Sequence, residues 1–145
     1  MSIQAAKETF FKSGHYAVVG ASKDRTKYGN KVLRWYKEHG LDTVAVHPKE
    51  TSVEEMTTLA NVSDLREPKK TSVSVITPPK VTLSVIKTAL LDLDVAGVWL
   101  QPGAEDDEVK KWVQEQDEAT KNKVILGGSC ILVEGEGLAK AAGKL

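Results

Sequence analysis

Residues 15–30 constrain the fold of this chain more than any other stretch. A short apolar run over residues 16–19 ends abruptly at Gly20, which begins a loop of small and charged residues. Gly29 then opens a segment whose apolar side chains have helical spacing. A strand that stops at a glycine, a loop and a helix start are together typical of the first βα turn of a nucleotide-binding unit. The backbone N–H groups and the positive end of the helix dipole at such a turn can hold a phosphate.

The rest of the chain alternates between short apolar runs and segments with helical spacing. The apolar runs predict strands over residues 15–20, 43–46, 72–76, 95–100 and 123–126. The helical spacing predicts helices over residues 2–13, 29–39, 80–91 and 105–119. This alternation is typical of an α/β fold with a parallel, doubly wound sheet.

Two segments lack a clear pattern. Residues 50–69 are ambiguous, with a turn of helix predicted over residues 53–59 and a short connector over residues 62–65. The C-terminal residues 134–145 are small and polar, and we expect them to be frayed.

Composition excludes several classes of protein. The chain has 145 residues, which is the size of one domain spanning residues 1–145. Its 20 Lys and Arg residues balance its 20 Asp and Glu residues, so the net charge gives no reason to expect a nucleic acid or membrane partner. The single cysteine, Cys130, excludes an internal disulfide framework. The N-terminal residues lack the long apolar run of a signal peptide, and we expect a cytoplasmic protein.

The predicted strand ends favour ligand binding over catalysis. Ligands of open α/β sheets lie outside the carboxyl ends of the strands. Those ends are rich in small residues and prolines: Gly20-Ala21-Ser22, His47-Pro48-Lys49, Thr77-Pro78-Pro79, Gln101-Pro102-Gly103 and Gly127-Gly128. They contain no Asp, no Glu and no Ser/His/Asp set, and no His, Cys, Asp or Glu has the spacing of metal ligands. We therefore predict a smooth crevice in which a ligand lies against backbone.

The charges near the first loop indicate a phosphorylated ligand. The dinucleotide pattern G-x-G-x-x-G is absent, and His47 and Lys49 stand where a dinucleotide site has an acidic residue for the ribose. A cation there favours a ribose phosphate over a free diol. Five cations crowd the first loop and helix: Lys23, Arg25, Lys27, Lys31 and Arg34. The alternative interpretation is that they are solvated charges on a helix face.

Four stretches together carry a resemblance to a known family. They are VVGASKDRTKYGNKVL at 18–33, VITPPKV at 75–81, VWLQPGAEDDEV at 98–109 and SCILVE at 129–134. With them, residues 13–134 resemble the small stand-alone CoA-binding proteins, which are similar to the N-terminal domain of succinyl-CoA ligase alpha subunits. The resemblance implies a Rossmann-like, three-layer α/β/α domain whose five to six mostly parallel strands bind coenzyme A or an acyl-CoA at their carboxyl edge.

The resemblance also implies a role for each matching residue. Gly20, Ala21 and Ser22, followed by Lys23, would meet the CoA phosphates, and Lys27, Tyr28, Gly29 and Asn30 would close the other side of that loop. His47 and Pro48 would border the adenosine, and Lys49 is a candidate for its 3′-phosphate. Thr77, Pro78 and Pro79 would line the middle of the groove. Gln101, Pro102, Gly103 and Ala104 would flank the path of the pantetheine arm.

Three hypotheses follow from these residues. The first is a protein that binds CoA or an acyl-CoA without catalysing a reaction itself. The second is an NADP-dependent oxidoreductase, against which the missing glycine pattern argues. The third is a regulatory or scaffold module with a vestigial nucleotide site. The predicted helix over residues 105–119 carries Trp112 and faces either a partner or solvent. A homodimer is therefore an alternative to a monomer.

Overall fold

The computed structural model describes residues 3–145 and contains one seven-stranded sheet in the order β3-β4-β2-β1-β5-β6-β7. All neighbouring strands are parallel except β3 and β4. The strands are β1 His15–Val19, β2 Thr43–Val46, β3 Ser52–Val53, β4 Met56–Leu59, β5 Thr71–Val75, β6 Gly97–Leu100 and β7 Val124–Ile125. The predicted α/β fold with a mostly parallel sheet is therefore confirmed.

Six α-helices within residues 3–145 cover the sheet. They are α1 Ile3–Phe10, α2 Tyr28–Glu38, α3 Pro79–Lys87, α4 Asp107–Gln114, α5 Glu118–Lys121 and α6 Ile131–Ala141. A π-helical turn, Thr88–Asp92, continues α3, and 3₁₀ turns lie at Val62–Asp64 and Pro68–Lys70. Residue 2, where the first predicted helix begins, lies outside the described residues. Each helix in the described part of the chain falls short of the length and apolar content that a bilayer crossing requires.

Alternating side chains of β1 separate the core into two layers. Ala17 and Val19 belong to the layer that contains the buried residues of α3 and α4. Tyr16 and Val18 belong to the layer that contains the buried residues of α1, α2 and α6. Because successive side chains of a strand point to opposite faces, these two layers lie on opposite faces of the sheet. The helices therefore sandwich the sheet, as in a doubly wound fold.

The sheet has more strands than the resemblance implied, because residues 52–59 form a hairpin. The turn of helix predicted over residues 53–59 is wrong: Val53 pairs with Met56, and Leu59 pairs with Val46 of β2. The two turn residues, Glu54 and Glu55, have φ angles of +49° and +66°. Glycine or asparagine usually occupies such turn positions, so the sequence contains no local signal for this hairpin.

The predicted fraying of residues 134–145 is also wrong, since most of them lie in α6. Ile131, Gly135 and Ala139 are buried and recur every four residues, which places them on one face of the helix. A Cβ at Gly135 would lie 2.6 Å from Cζ2 of Trp35 in α2. The small residues of this segment therefore allow α6 to pack closely against an aromatic side chain.

Candidate functional site

A cavity of about 730 Å³ opens at the carboxyl ends of β1, β2, β4 and β5. The chain runs from β1 to β2 on one side of β1 and returns to β5 on the other side, so the cavity lies at the switch point of the sheet. It is lined by Val19, Gly20, Ala21, Ser22, Lys27, Tyr28, Gly29, Val46, His47, Pro48, Ala60, Asn61, Val62, Ser63, Ile76, Thr77, Pro78, Val81, Ser84, Val85 and Thr88.

Two glycines bring three backbone segments together at one end of the cavity. Gly20 has a φ of +95°, and a Cβ there would overlap the carbonyl oxygen of Ile76, just after β5. A Cβ at Gly29 would overlap the carbonyl oxygen of Gly20. The end of β1, the end of β5 and the first turn of α2 can therefore meet only because both positions lack a side chain. Residues 20–27, which we call the glycine loop, join β1 to α2 at this point.

The N-terminus of α2 faces the cavity without a side-chain cap. Its first residues, Tyr28 and Gly29, line the cavity, and the N-cap residue Lys27 makes no capping hydrogen bond. The first turn contains no acidic residue. The first N–H groups of a helix have no partner within the helix, and the helix dipole is positive there. This end of the cavity has the chemistry of an anion site.

Asn30 supports the glycine loop from behind. Its side chain is fully buried and does not line the cavity. Its Nδ2 donates to the carbonyl oxygen of Ser22 at 2.8 Å and to Oε2 of Glu54 at 3.1 Å. Its Oδ1 accepts a hydrogen bond from Nε of Arg34 at 2.7 Å. The structure therefore places Asn30 beneath the predicted site, where it holds the loop.

Most cations near the loop have partners within the protein. Lys23 pairs with Glu50 at 2.8 Å, and Arg25 pairs with Glu54 at 3.4 Å. Within residues 3–145, Lys27 makes no ion pair, and it is the one lysine that lines the cavity. The basic cluster of the sequence therefore contributes one unpaired cation to the cavity, while Lys23 lies outside the lining.

The end of β2 forms an ordered turn. Nδ1 of His47 accepts hydrogen bonds from the backbone N–H groups of Lys49 at 3.0 Å and Glu50 at 2.9 Å. Because both contacts are with donors, the ring proton lies on Nε2. His47 and Pro48 line the cavity, whereas Lys49 is exposed beside them and outside the lining.

The end of β5 and one face of α3 form the opposite wall. Thr77 and Pro78 line the cavity, and Pro79 begins α3 behind them. Four positions of α3 and the following π-helical turn were missed by the sequence prediction: Val81, Ser84, Val85 and Thr88. Their spacing of three and four residues is that of one helix face, so this pattern contained the signal.

The loop after β4 forms the remaining wall and was missed as well. Residues 60–63 line the cavity. Asn61 caps the 3₁₀ turn there. Its side chain accepts a hydrogen bond from the N–H of Ser63 at 2.9 Å, and the backbone N–H of Asn61 donates to the side chain of Asp64 at 3.3 Å. The sequence prediction omitted this wall because it contained no strand β4. Three apolar residues complete the lining: Val19 and Val46, which end β1 and β2, and Ile76, which follows β5.

The four residues that follow β6 lie outside the cavity. Gln101 is fully buried, and its Oε1 accepts from the backbone N–H of Ile131 at 3.0 Å. Ala104 is also buried, while Pro102 and Gly103 are exposed.

The hydroxyl of Tyr28 bonds to Sγ of Cys130, and burial together with this contact raises the pKa of Tyr28 well above its usual range. Tyr28 therefore stays protonated at neutral pH.

The comparisons with known proteins decide the family. A model described as a CoA binding domain matches residues 14–136. The chain belongs to the CoA binding domain family. No curated protein matches it.

Several solved structures are similar to this chain. A conserved hypothetical protein from Pyrococcus furiosus is 31% identical, with a TM-score of 0.71 over 83% of this chain and 97% of that one. A Thermus thermophilus protein is 26% identical, with a TM-score of 0.75 over 95% of this chain and 99% of that one. A hypothetical protein from Pyrococcus horikoshii OT3, 24% identical, has the same fold, with a TM-score of 0.75 over 95% and 92% of the two chains.

Proposed function

We propose that this protein binds coenzyme A or an acyl-CoA in the cavity at the carboxyl ends of β1, β2, β4 and β5. The observation that carries the proposal is the anion site at the glycine loop, in a chain of the CoA binding domain family. Two features of this end fit the two adjacent phosphates of CoA. The backbone excludes a Cβ at Gly20 and at Gly29, and the N-terminus of α2 has no side-chain cap.

We assign the phosphates to the end of the cavity that the glycine loop forms. Gly20, Ala21 and Ser22 present backbone groups there, as do Tyr28 and Gly29 across the loop. Lys27 adds the one unpaired lysine of the described lining. Two further predicted residues lie outside the lining. The ammonium of Lys23 pairs with Glu50, and the buried Asn30 holds the glycine loop from behind.

We assign the adenosine to the end of the cavity beside β2. His47 and Pro48 line this end, and the apolar side chain of Val62, which follows the neighbouring strand β4, supplies surface for a purine ring. Lys49 lies next to Pro48 on the rim, and we propose that its ammonium reaches the 3′-phosphate. Thr77, Pro78 and Pro79 remain the proposed middle of the groove. The path of the pantetheine arm along residues 101–104 remains a prediction, because these residues lie outside the cavity.

We further propose that binding is the function of this cavity, without a chemical step. The lining contains no Asp, Glu or Cys. His47 is held by two backbone N–H groups, and Tyr28 stays protonated at neutral pH. A nucleophile paired with a general base, which most covalent catalysis requires, is absent from this lining. Within residues 3–145 no cluster of three or more His, Cys, Asp or Glu side chains has the arrangement of a metal site.

A thermal-shift titration with CoA, 3′-dephospho-CoA, acetyl-CoA, NAD and NADP tests the proposal. A ligand that binds only the folded state adds about 2.7 kcal/mol of stability at a hundredfold excess over its Kd. We expect CoA to raise the melting temperature, 3′-dephospho-CoA to raise it less, and NADP to leave it unchanged. A shift with NADP alone would favour the oxidoreductase hypothesis, and no shift with any ligand would favour the scaffold.

The role of Lys27 in CoA binding can be tested with Lys31 as the matched control. Lys27 lines the cavity, whereas Lys31 is exposed one turn further along and does not. We expect Lys27→Ala to weaken CoA binding about fivefold, which corresponds to about 1 kcal/mol for an exposed charge contact. Lys31→Ala should leave the Kd unchanged. Equal Kd values for both variants would remove Lys27 from the site.

A further inference from the structure

We propose that Glu54, in the turn between β3 and β4, is a positioning residue that holds the glycine loop in its anion-binding shape. The inference rests on the proposed function, because it concerns the loop to which we assign the phosphates. Glu54 does not line the cavity, so it acts through other side chains.

The first contact in this chain joins Glu54 to Asn30. The side chain of Glu54 is only 17% exposed, and its Oε2 accepts a hydrogen bond from Nδ2 of Asn30 at 3.1 Å. The same Nδ2 donates its other hydrogen to the carbonyl oxygen of Ser22 at 2.8 Å. Because Arg34 donates to Oδ1, all parts of the buried amide are engaged, and its orientation is fixed. Glu54 therefore sets the direction in which Asn30 presents its donor to the loop.

The second contact fixes the middle of the loop. Nε of Arg25 lies 3.4 Å from Oε2 of Glu54, and Arg34 donates to the carbonyl oxygen of Arg25 at 3.1 Å. The Glu54 carboxylate thus contacts the loop at Arg25 directly and at Ser22 through Asn30. The hydrogen bond from Asn30 lowers the pKa of Glu54 from its usual value, and the nearby charges of Arg25, Arg34 and Lys37 lower it further.

These contacts favour anion binding because they fix the direction of the carbonyl group of Ser22. Ser22 lines the cavity, whereas Asn30 lies buried outside it. A carbonyl that bonds to Asn30 is directed away from the cavity, and this leaves the N–H side of the loop for a phosphate. A carbonyl oxygen turned into the cavity would repel a phosphate, since both groups are hydrogen-bond acceptors.

The backbone of the hairpin is shaped to place this carboxylate. Glu54 and Glu55 both have positive φ, which L-residues other than glycine seldom adopt. The Nζ of Lys37 bonds to the carbonyl oxygen of Glu54 at 2.9 Å and holds the turn against α2. Such conformations persist where the surroundings determine them strongly, and they concentrate at functional sites.

Glu55 supplies a matched control. It has the same side chain and a similar φ, but it is exposed and makes no side-chain hydrogen bond or ion pair within residues 3–145. We expect Glu54→Gln to raise the Kd for CoA about tenfold and Glu55→Gln to leave it unchanged. The unliganded Glu54→Gln variant should melt somewhat below Glu55→Gln, because it loses a charge that Arg25 contacts, and binding is compared at a temperature at which both variants are folded.

A double-mutant cycle shows whether Glu54 acts through Asn30. If it does, Glu54→Gln combined with Asn30→Ala should lose less affinity for CoA than the sum of the two single losses, because both substitutions remove the support of Ser22, and only the contact with Arg25 is independent of Asn30. Fully additive losses, or a lower melting temperature of Glu54→Gln with an unchanged Kd, would show a role in the hairpin only and would overturn the inference.

Backbone amide chemical shifts of the unliganded protein separate this inference from the proposed function. Glu54→Gln should move the amide signals of residues 22–26, and Glu55→Gln should not. If the wild type fails to bind CoA, the proposed function is overturned, and the amide shifts together with binding of inorganic pyrophosphate still test the positioning role. Unmoved amide signals in Glu54→Gln would overturn that role even in a wild type that binds CoA.

Discussion

Gly20 and Gly29 illustrate how single residues shape the site. At both positions the atom that would meet a Cβ is a backbone carbonyl oxygen, which cannot rotate away as a side chain can. In addition, Gly20 has a positive φ. The sequence alone suggests that a bulky residue at Gly20 would abolish ligand binding and leave the fold intact. The contact with Ile76 shows that the fold itself requires this glycine.

We therefore predict that Gly20→Ala lowers the free energy of unfolding by at least about 2 kcal/mol, because it combines backbone strain with a steric overlap. Gly14 is the control, since a Cβ there would meet nothing within 4 Å. Gly14→Ala should change the free energy by less than about 0.5 kcal/mol. Urea unfolding of both variants gives the measurement, and an equally stable Gly20→Ala variant would contradict the backbone packing.

His15 joins three strands at the amino end of the sheet. Its Nδ1 lies 2.6 Å from Asp42, which precedes β2, and its Nε2 lies 2.8 Å from Glu67, which precedes β5. The hydrogen bond with Asp42 and then that with Glu67 raise the pKa of His15 from 6.5. The bond with His15 in turn lowers the pKa of Glu67 from 4.5. All three side chains are substantially exposed, so the effect on stability is small.

These two pKa shifts predict a pH window for the stabilisation by His15. A raised histidine pKa contributes stability that is complete below about pH 6.5 and is lost as the pH rises through the folded-state pKa. A lowered glutamate pKa contributes stability that is complete above about pH 4.5 and is lost as the pH falls. The difference in unfolding free energy between wild type and His15→Gln should therefore be largest between these values. Urea unfolding at pH 5.5 and pH 8.5 tests this, and an equal difference at both pH values would contradict it.

At the scale of elements, α6 depends on packing that its own residues do not reveal. Its buried face consists of one large and two small residues. The ion pair between Lys7 and Glu134, at 2.6 Å, joins α6 to α1. Gly135 allows the close approach to Trp35, because its absent Cβ leaves space for the indole ring. The helix is therefore stabilised by its contacts with α1 and α2.

Two glycines in α6 give opposite predictions. Gly135→Ala would place a Cβ 2.6 Å from Trp35 and 2.8 Å from Ile131, and we expect a loss of about 1–2 kcal/mol from overpacking. A Cβ at Gly137 would meet nothing within 4 Å. Gly137→Ala should therefore stabilise the protein by about 0.5–1 kcal/mol, because alanine favours the helix. Thermal or urea unfolding measures both, and equal effects would indicate that residues 131–141 do not pack on Trp35.

At the scale of the whole molecule, the sequence predicts what depends on local pattern. Continuous apolar runs locate the central strands, and the small-residue ends of β1, β2 and β5 locate the cavity. The hairpin β3–β4 is missed because Glu54 and Glu55 occupy positions where glycine or asparagine gives the usual signal. The loop after β4 is consequently missing from the predicted lining.

The remaining differences arise from contacts between distant segments. Whether residues 131–141 are ordered depends on Trp35, which lies about a hundred residues earlier. The partners of Lys23 and Arg25 come from the segment around the hairpin, so the chain's pattern does not show that these cations are paired. Gln101 follows a strand end, but it is buried and bonds to the start of α6. Periodicity along the chain contains no information about such contacts.

Mapping the backbone amide signals of the ¹⁵N-labelled protein during a CoA titration tests the central claim most directly. If CoA occupies the cavity with its phosphates at the glycine loop, the largest changes should fall on residues 20–22 and 28–29, with further changes at residue 47 and at residues 60–63. Signals of α1 and of residues 135–141 of α6 should move little. The absence of saturable changes, or changes centred on α1 and α6, would contradict the account.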